Sequence, residues 1–541
     1  MTRRDWLLTA ALFAIAFLAV LLTDADYGAT YDEPHYASAG SAYARWIALA
    51  ATSPDAFQRD AIDAAWRLNH EHPPLQKVAS GLCYRWFGGL LPGLTAMRLP
   101  SALWYALAVC ALFLFVKSIW SFGAGLFAAL AFAALPHVFA HAHFDALDMP
   151  ITAWFFLTAA LTAHALRRNS WTWAALAGIA FGLALLAKVN AFFLPLLLVP
   201  WALIWYRYRW PKLLAILLIG PVVFFLCWPW LWIAPIAHLK GYLAFHFRHA
   251  AYNVWYLGKL YPYAPWHYPF VITAVTTPAL ILLASLLGIA ACRPRRHPEQ
   301  ALLLLGLVVA LVPNALPTSP KYNGVRLFLP AFPFLAALAG GGFSWAQGRL
   351  LRARFLTRPE NAGLARLLPL LLGAGLLAPS VSAVAHTHPY QLAYYDALVG
   401  GPAGAAKRGF ETIYWGQVLS AGVDFVNRIE QPNPRVLVIP KGVIYLFELQ
   451  QVRPDARFTG DETQAGSVDY VMFQCMQSDF TDLCWDLYRN AEPIYSVTLD
   501  GAPLLVVYDR DAVAAALARL KGSAAPTTSA SATSDTNIPT R

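Results

Sequence analysis

The stretch WLLTAALFAIAFLAVLL at residues 6–22, followed by YDEPHY at residues 31–36, decides how this chain folds. The first part is an apolar run of about the length that spans the hydrocarbon of a bilayer. No small-x-small cleavage site follows it before Asp24, so we interpret it as a retained first helix and not as a cleaved signal peptide. The second part places two adjacent carboxylates, Asp32 and Glu33, just outside that helix.

The rest of the chain repeats the apolar pattern. Of its 541 residues, 58% are hydrophobic and only 13% are charged, which is far from the average of soluble proteins. Eleven apolar segments predict membrane-spanning helices: 6–22, 98–117, 121–139, 150–166, 171–187, 190–206, 212–233, 269–291, 300–316, 327–346 and 364–384. The sequence therefore predicts a mainly α, polytopic membrane protein with about eleven transmembrane helices.

The net charge of +10 follows the predicted topology. Basic residues cluster between alternate spans, as at Arg167-Arg168 and at Arg293 to Arg296, which is the positive-inside pattern. We therefore interpret the basic excess as a topology signal and not as a nucleic-acid-binding surface. With the N-terminus in the cytoplasm, four segments face the outside, and an odd number of spans places residues 386–541 there too. These outer segments are 23–97, 140–149, 234–268 and 317–326.

After residues 1–385, the transmembrane part, residues 386–521 have the pattern of a small α/β domain on the outer side. Strands are predicted at 436–439, 469–473, 495–499 and 504–508, and helices at 417–428 and 512–520. Asp500-Gly501 between the last two strands predicts a hairpin turn. Residues 522–541 are rich in Ala, Ser and Thr and predict a disordered tail.

Two of the six cysteines, Cys475 and Cys484, lie in the outer α/β domain, nine positions apart. Because an oxidising compartment permits disulfides, we predict that these two cysteines are bonded to each other. The alternative is a pair of free buried thiols.

Two groups of acidic residues are candidates for catalysis. Asp32 and Glu33 lie at the membrane surface, where a carboxylate can act as a general base if an acceptor proton is within reach. Asp145 and Asp148 lie in a ten-residue outer segment, together with the motif His141-Ala-His143. Structural alternatives exist, because Asp32 and Asp148 each precede a proline in a position that suits a helix N-cap. The His-x-His motif with a nearby aspartate leaves a divalent cation possible, although no metal motif is present and no cofactor is certain.

The candidate phosphate-binding residues are cations and a histidine near the outer surface: His72, Lys77, Lys188 and Arg326. Cations on the outer side run against the positive-inside tendency, and a lipid phosphate would explain them. The two prolines at Pro73-Pro74 fix the backbone beside His72. The alternative explanation for the lysines is snorkelling to lipid headgroups.

Together these motifs resemble the integral-membrane GT-C glycosyltransferases, and most closely the protein O-mannosyltransferase and aminoarabinose-transferase superfamily. The resemblance covers about residues 1–345 and rests on the order and sidedness of five segments. They are Asp32-Glu33, His72-Pro73-Pro74-Leu75, Asp145 to Pro150, Ala187 to Ala191 and Arg326 to Pro330. The segments His388 to Tyr395, Gly400-Gly401 and Tyr414-Trp415-Gly416 also look like an extension of bacterial members.

The resemblance implies a hexosyl- or pentosyltransferase of the bacterial inner membrane. It would use a polyprenyl-phosphate sugar on the outer face, with inversion, and transfer the sugar to a protein, lipid or glycan. It implies that Asp32 is the base and that Asp145 or Asp148 places the acceptor or an ion. His72, Lys77, Lys188 and Arg326 would hold the donor phosphate.

Three other functions remain open from the residues. The chain could be a transporter of a lipid-linked sugar, but its ionisable residues cluster at one outer surface and not at mid-membrane depth. It could be a glycan ligase or polymerase that uses a polyprenyl-diphosphate-linked oligosaccharide. It could also be an inactive member of the superfamily that acts as a scaffold.

Overall fold

The computed structural model describes residues 2–247, 252–356, 358–444 and 451–523. The predicted disordered tail, apart from Gly522 and Ser523, lies outside the described residues.

The described part of the chain is dominated by α-helices. In chain order they are α1 (Arg3–Thr23), α2 (Glu33–Ala50), α3 (Arg59–Trp66), α4 (Leu75–Phe87), α5 (Gly93–Ile119), α6 (Phe122–Ala133), α7 (Pro136–His141), α8 (Asp148–Arg168), α9 (Trp171–Ala187), α10 (Leu194–Trp205), α11 (Trp210–Leu226), α12 (Trp230–Ile233), α13 (Pro235–Phe247), α14 (Tyr268–Thr276), α15 (Ala279–Ala291), α16 (Pro298–Ala315), α17 (Ala331–Leu350), α18 (Ala362–His386), α19 (Gly401–Lys407), α20 (Ser420–Arg428), α21 (Asp482–Asn490) and α22 (Arg510–Ser523).

Each predicted span coincides with one of these helices or with a helix pair. Among the described residues, six helices are long and apolar enough to cross a membrane, and four shorter apolar helices accompany them. The span predicted at 269–291 is two helices, α14 and α15, because Pro278 lacks the N–H that would continue the helix. The prediction of a mainly α, multi-pass membrane protein is confirmed.

The helices α2 and α4 belong to the first outer segment and pack against each other. Their contact is close at Gly40 and Gly81, where an added Cβ would collide with the backbone of the facing helix. This packing joins the residues that follow Asp32-Glu33 to those that follow Pro73-Pro74. Both motifs therefore lie on one folded unit.

The C-terminal region contains a five-stranded sheet. Two short strands, β1 (Val254–Tyr256) and β2 (Lys259–Tyr261), form a separate hairpin; the sheet consists of β3 (Arg435–Ile439), β4 (Arg457–Thr459), β5 (Tyr470–Gln474), β6 (Tyr495–Leu499) and β7 (Ala502–Asp509). Its strand order is β4-β3-β5-β7-β6, parallel from β4 to β5 and antiparallel beyond. The four predicted strands and the Asp500-Gly501 turn are present, and both turn residues have positive φ.

The predicted disulfide is absent, because Cys475 and Cys484 are both free thiols. Both side chains are buried, and burial raises the pKa of the Cys484 thiol to about 11. Since the thiolate is the form that reacts, burial keeps this pair in the unreactive thiol form.

The sheet and the outer segments share one hydrophobic core. Buried side chains of the strands, such as Val438 and Phe473, belong to the same cluster as Tyr27, Tyr36 and Phe144 of the outer segments. Two glycines permit this approach: an added Cβ at Gly28 would meet the Gln417 carbonyl, and one at Gly324 would meet the Tyr414 ring. The C-terminal region therefore packs directly on the segments that carry the candidate residues.

Candidate functional site

A cluster of four charged side chains lies where α2, α8 and α9 begin or end. Asp32 precedes α2, Asp148 begins α8, and Lys188 follows α9. Arg326 comes from the 3-10 turn Arg326–Phe328 that precedes α17. We call these four residues the charge cluster.

Asp148 holds the two cations of the charge cluster. Its Oδ1 accepts a hydrogen bond from Lys188 Nζ at 2.6 Å, and its Oδ2 accepts one from Arg326 Nε at 2.9 Å. The guanidinium of Arg326 also pairs through Nη2 with Asp32 Oδ2. Asp148 is fully buried, so its charge depends on these two partners for compensation.

The helix-cap explanation for the two aspartates is wrong. Asp32 occupies the N-cap position of α2 but makes no capping hydrogen bond with its side chain. Asp148 is already the first residue of α8, and its carboxylate faces the cations. Both side chains therefore serve the charge cluster and not the helix ends.

Trp415, from the C-terminal region of the chain, contacts two members of the charge cluster. Its Nε1 donates to Asp32 Oδ2 at 3.0 Å, and its ring lies 4.2 Å from the Arg326 Cζ. The sequence placed Tyr414-Trp415-Gly416 in an extension of the chain but did not assign Trp415 to the site. A signal was available in the Trp-Gly pair, but the 383 positions between Trp415 and Asp32 hid the contact.

Glu33 points away from the charge cluster and into a second acid–arginine pair. Arg98 donates to both of its oxygens, from Nε at 2.6 Å and from Nη2 at 2.8 Å. The backbone N–H groups of Thr30 and Asp145 donate to the same carboxylate, each at 2.8 Å. With four donors and 1% exposure, Glu33 has no oxygen available to take a proton from an acceptor. The catalytic role predicted for Glu33 does not fit this geometry.

Arg98 also donates to three backbone carbonyls, those of Asp24, Tyr27 and Gly28. Together with Glu33 it ties the turn after α1, the start of α2 and the segment before α8 to one guanidinium. We call Glu33 and Arg98 the structural clamp. Arg98 was missed in the sequence, because it lies in an apolar helix, 65 positions from Glu33.

Asp145 contacts the structural clamp, because its backbone N–H donates to Glu33, and it is not a member of the charge cluster. Its Oδ1 accepts from Gln76 Nε2 at 2.9 Å and from Ser80 Oγ at 2.6 Å, while its Oδ2 is buried without a partner among the described residues. Burial raises the pKa of Asp145 to about 7. Asp145 is therefore a buried residue beside the structural clamp, where a sugar acceptor cannot reach its carboxylate.

Lys77 does not point into the charge cluster either. Its three N–H donors are used by the Asn69 carbonyl at 2.6 Å, the Asn69 Oδ1 at 3.0 Å and the His72 carbonyl at 2.7 Å. Burial lowers the pKa of Lys77 to about 7. The prediction that Lys77 binds phosphate does not fit, because the ammonium instead fixes the loop before Pro73-Pro74.

His72 borders the charge cluster as a neutral ring. Burial, followed by the charge of Lys77 and with smaller contributions from Lys188 and Arg326, lowers the pKa of His72 well below its ordinary value. Its ring packs edge-on against Tyr36, with centroids 6.1 Å apart, and its buried Nδ1 has no partner in the described part of the chain. His72 can thus offer one hydrogen bond but no added charge.

The residues that could have held a divalent cation do not converge. His143 is occupied by Thr23 and by the Phe139 carbonyl, whereas His141 faces Tyr414. Across the described residues no group of three His, Cys, Asp or Glu side chains could hold a metal ion. In the charge cluster the carboxylate oxygens already face Lys188 and Arg326, so this set of side chains suits an anion better than a cation.

A bundle of apolar helices with two long outer segments, and a small sheet packed on the same side, defines the class of this protein. It is a multi-pass membrane protein with the GT-C glycosyltransferase fold, since a solved structure of that fold matches 94% of the chain. The fold that the resemblance implied is thereby confirmed.

Residues 71–233 match the family model described as dolichyl-phosphate-mannose-protein mannosyltransferase. That part of the chain contains Asp148 and Lys188 of the charge cluster. No curated protein is similar enough in sequence to match the chain.

Several solved structures are similar to this chain at low sequence identity. The crystal structure of ArnT from Cupriavidus metallidurans bound to undecaprenyl phosphate is 17% identical, with a TM-score of 0.52, over 94% of this chain and 98% of that chain. The same protein in the apo state gives 17% identity and a TM-score of 0.50, over 93% of this chain and 98% of that one. The archaeal oligosaccharyltransferase AglB from Archaeoglobus fulgidus is 13% identical, with a TM-score of 0.48, over 87% of this chain and 70% of that chain.

Proposed function

We propose that this protein is a glycosyltransferase that moves a hexose or pentose from a polyprenyl-phosphate donor to an acceptor at the outer face of a bacterial inner membrane. One observation carries the proposal: a partly exposed carboxylate and two cations converge in one cluster at the helix ends. This is the arrangement that transfer from a lipid phosphate requires, because a proton must leave the acceptor while negative charge develops on the phosphate.

In this proposal Arg326 and Lys188 bind the phosphate of the donor. Asp148 holds both cations on one side, at 2.9 Å and 2.6 Å, so their free donors point away from it. Arg can contact a phosphate through two N–H groups, and Lys adds a compact charge. Asp148 is therefore a positioning residue for the cations. Its predicted role in placing the acceptor is not supported by its complete burial.

Asp32 is the base in this proposal. Its side chain is 22% exposed, against 9% for Arg326 and 0% for Asp148, so it is the acid of the charge cluster that an acceptor can reach. The phosphate of an arriving donor competes with Asp32 for the guanidinium of Arg326. Donor binding would thereby release the carboxylate for proton transfer.

The reaction is written as a single displacement. Asp32 accepts the proton of the acceptor hydroxyl or amine, and the acceptor atom forms a bond to the anomeric carbon. The bond from that carbon to the phosphate oxygen breaks, and the polyprenyl phosphate leaves with the electron pair. Attack from the side opposite the phosphate inverts the configuration.

The location of the charge cluster favours an enzyme over a transporter. Asp148 begins one candidate span, and Lys188 immediately follows a shorter apolar helix, so both lie at helix ends and not at mid-membrane depth. A transporter would need its ionisable groups along the path through the membrane. The orientation of the termini and the bacterial inner membrane remain part of the proposal.

Deletion of the gene, with profiling of envelope glycolipids and glycoproteins by mass spectrometry, tests the function. We expect one sugar modification to disappear, to return with the wild-type gene, and to stay absent with Asp32→Asn. Loss of an unmodified lipid-linked sugar from the outer leaflet, in place of a loss of product, would instead indicate a transporter. An unchanged glycan profile in the deletion strain would contradict the proposal.

A further inference from the structure

The backbone at Trp415 adopts a conformation that a large side chain rarely takes. Its φ is +75°, and Gly416 follows with a φ of +85°. Positive φ is uncommon for residues other than glycine, and bulky residues keep it only where the surroundings enforce it. Trp415 is also completely buried, so this conformation is fixed by packing.

Contacts from two regions enforce the turn. From the segment that leads into α2, the Tyr31 N–H donates to the Trp415 carbonyl at 3.1 Å. From the sheet, Gln474 at the end of β5 accepts the Gly416 N–H through its Oε1 at 3.1 Å. The turn therefore connects a central strand of the C-terminal sheet with the residue that precedes Asp32.

The side chain of Trp415 reaches two members of the charge cluster. Its indole N–H occupies Oδ2 of Asp32, and the face of its ring lies under the guanidinium of Arg326. Rings of His141 and Phe144 pack on it with centroids 5.1 Å and 5.2 Å away. The indole can therefore keep the carboxylate in place after Arg326 has turned to a phosphate.

We infer that Trp415 is a positioning residue that orients the Asp32 carboxylate for proton transfer, and that the C-terminal sheet serves the reaction by holding Trp415. The inference rests on the proposed function. With Oδ2 held by the indole, the other oxygen, Oδ1, is the one presented to the acceptor. A hydrogen bond from a rigid, buried donor fixes this direction better than a mobile cation can.

Trp415→Phe tests the inference, because it keeps an aromatic ring near Arg326 and removes the N–H donor, together with part of the indole volume. Trp485→Phe is the control for the loss of indole volume in the same region, since the Trp485 ring packs at a tilt against Trp255 and contacts no member of the charge cluster among the described residues. The assay uses a panel of synthetic undecaprenyl-phosphate hexoses and pentoses, with membranes of the deletion strain as the source of acceptor. The donor with the highest wild-type turnover is then used for the variants. Binding of undecaprenyl phosphate is measured separately.

We expect Trp415→Phe to lower kcat about tenfold, while KM for the donor and affinity for undecaprenyl phosphate stay within twofold of the wild type. A role in folding alone would lower the amount of active protein and the unfolding temperature together. Unchanged kcat, or an equal loss in Trp485→Phe, would overturn the inference. Wild-type protein that transfers no sugar from any polyprenyl-phosphate donor would overturn the proposed function instead.

Gln474→Met tests the role of the sheet separately. This change removes the acceptor of the Gly416 N–H without touching Asp32 or Arg326. We expect a smaller decrease in kcat, again with KM unchanged. If Trp415→Phe lowers kcat and Gln474→Met does not, the part of the inference that concerns the sheet is wrong.

Discussion

Asp32 and Glu33 are neighbours in sequence, and each pairs with an arginine, yet the two pairs belong to different regions with opposite properties. The charge cluster joins Asp32 to Arg326 and is partly exposed, with 22% of the aspartate side chain accessible. The structural clamp joins Glu33 to Arg98 and is closed, with at most 2% of either side chain accessible. Adjacent side chains at a helix start point in different directions, so only one of them faces the site.

Two adjacent acids in one segment can therefore have different roles, one structural and one proposed to be functional. In the structural clamp every oxygen of Glu33 has a donor, which stabilises the fold and leaves nothing for chemistry. In the charge cluster the proposed function has the donor phosphate replace Asp32 at Arg326, so the partner of Asp32 would change during the reaction. A fixed partner indicates structure, and an exchangeable partner indicates function.

Asp32→Asn tests the proposed role of the charge cluster in catalysis. We expect kcat for sugar transfer to fall by roughly 10²–10⁴-fold, the usual contribution of a general base. Because Asn keeps the shape and the exposed position of Asp32, the unfolding temperature should change little. Transfer kinetics and thermal unfolding in detergent measure the two effects. Wild-type turnover in this variant would remove Asp32 as the base.

Arg98→Met tests whether the structural clamp stabilises the fold. It leaves the buried Glu33 carboxylate without its cation, and we expect a loss of roughly 3–5 kcal/mol in the free energy of unfolding. Thermal unfolding in detergent is the measurement, and activity should fall only in proportion to the folded fraction. Arg67→Met is the control, because the pair of Arg67 with Asp63 is exposed. A stable but inactive Arg98→Met would place the structural clamp in the chemistry.

Arg326→Lys sharpens the division between the predicted phosphate ligands. The variant keeps the charge and loses the planar two-point contact, so we expect about tenfold weaker binding of undecaprenyl phosphate. Lys77→Met should reduce stability but leave the affinity of the folded protein unchanged, since Lys77 is occupied by Asn69 and His72. Equal losses of affinity in both variants would return Lys77 to the phosphate site.

Asp145 predicts an effect of a different kind, a pH dependence of stability. Burial raises its pKa to about 7 in the folded state, whereas the unfolded value is near 4. Between these values the folded state binds more protons than the unfolded state, so stability decreases as pH rises from about 4 to about 7 and then levels off.

Asp145→Asn removes this titration while keeping the oxygen that accepts from Gln76 and Ser80. Unfolding temperatures at pH 5 and pH 8 should therefore differ less in the variant than in the wild type. An identical difference in both proteins would show that Asp145 does not titrate in this range.

Much of the fold follows from local patterns. The spans are set by apolar runs, and the hairpin at Asp500-Gly501 by residues that accept positive φ, so both could be predicted. The split of 269–291 into two helices was missed, although Pro278 gave a signal for it. The sequence selected eight candidate residues, and only four of them, Asp32, Asp148, Lys188 and Arg326, meet in the structure. Their chemical roles stay predictions.

The membrane fold and the kinds of side chain at the helix ends follow from the amino-acid sequence alone, because hydrophobic length and charge placement act locally along the chain. Which of the two adjacent acids pairs with Arg326, and which with Arg98, is visible only in the tertiary structure. Arg326 meets Asp32 across 294 positions and Trp415 meets it across 383. No local pattern encodes such contacts, since they depend on how the C-terminal sheet and the helix ends pack together.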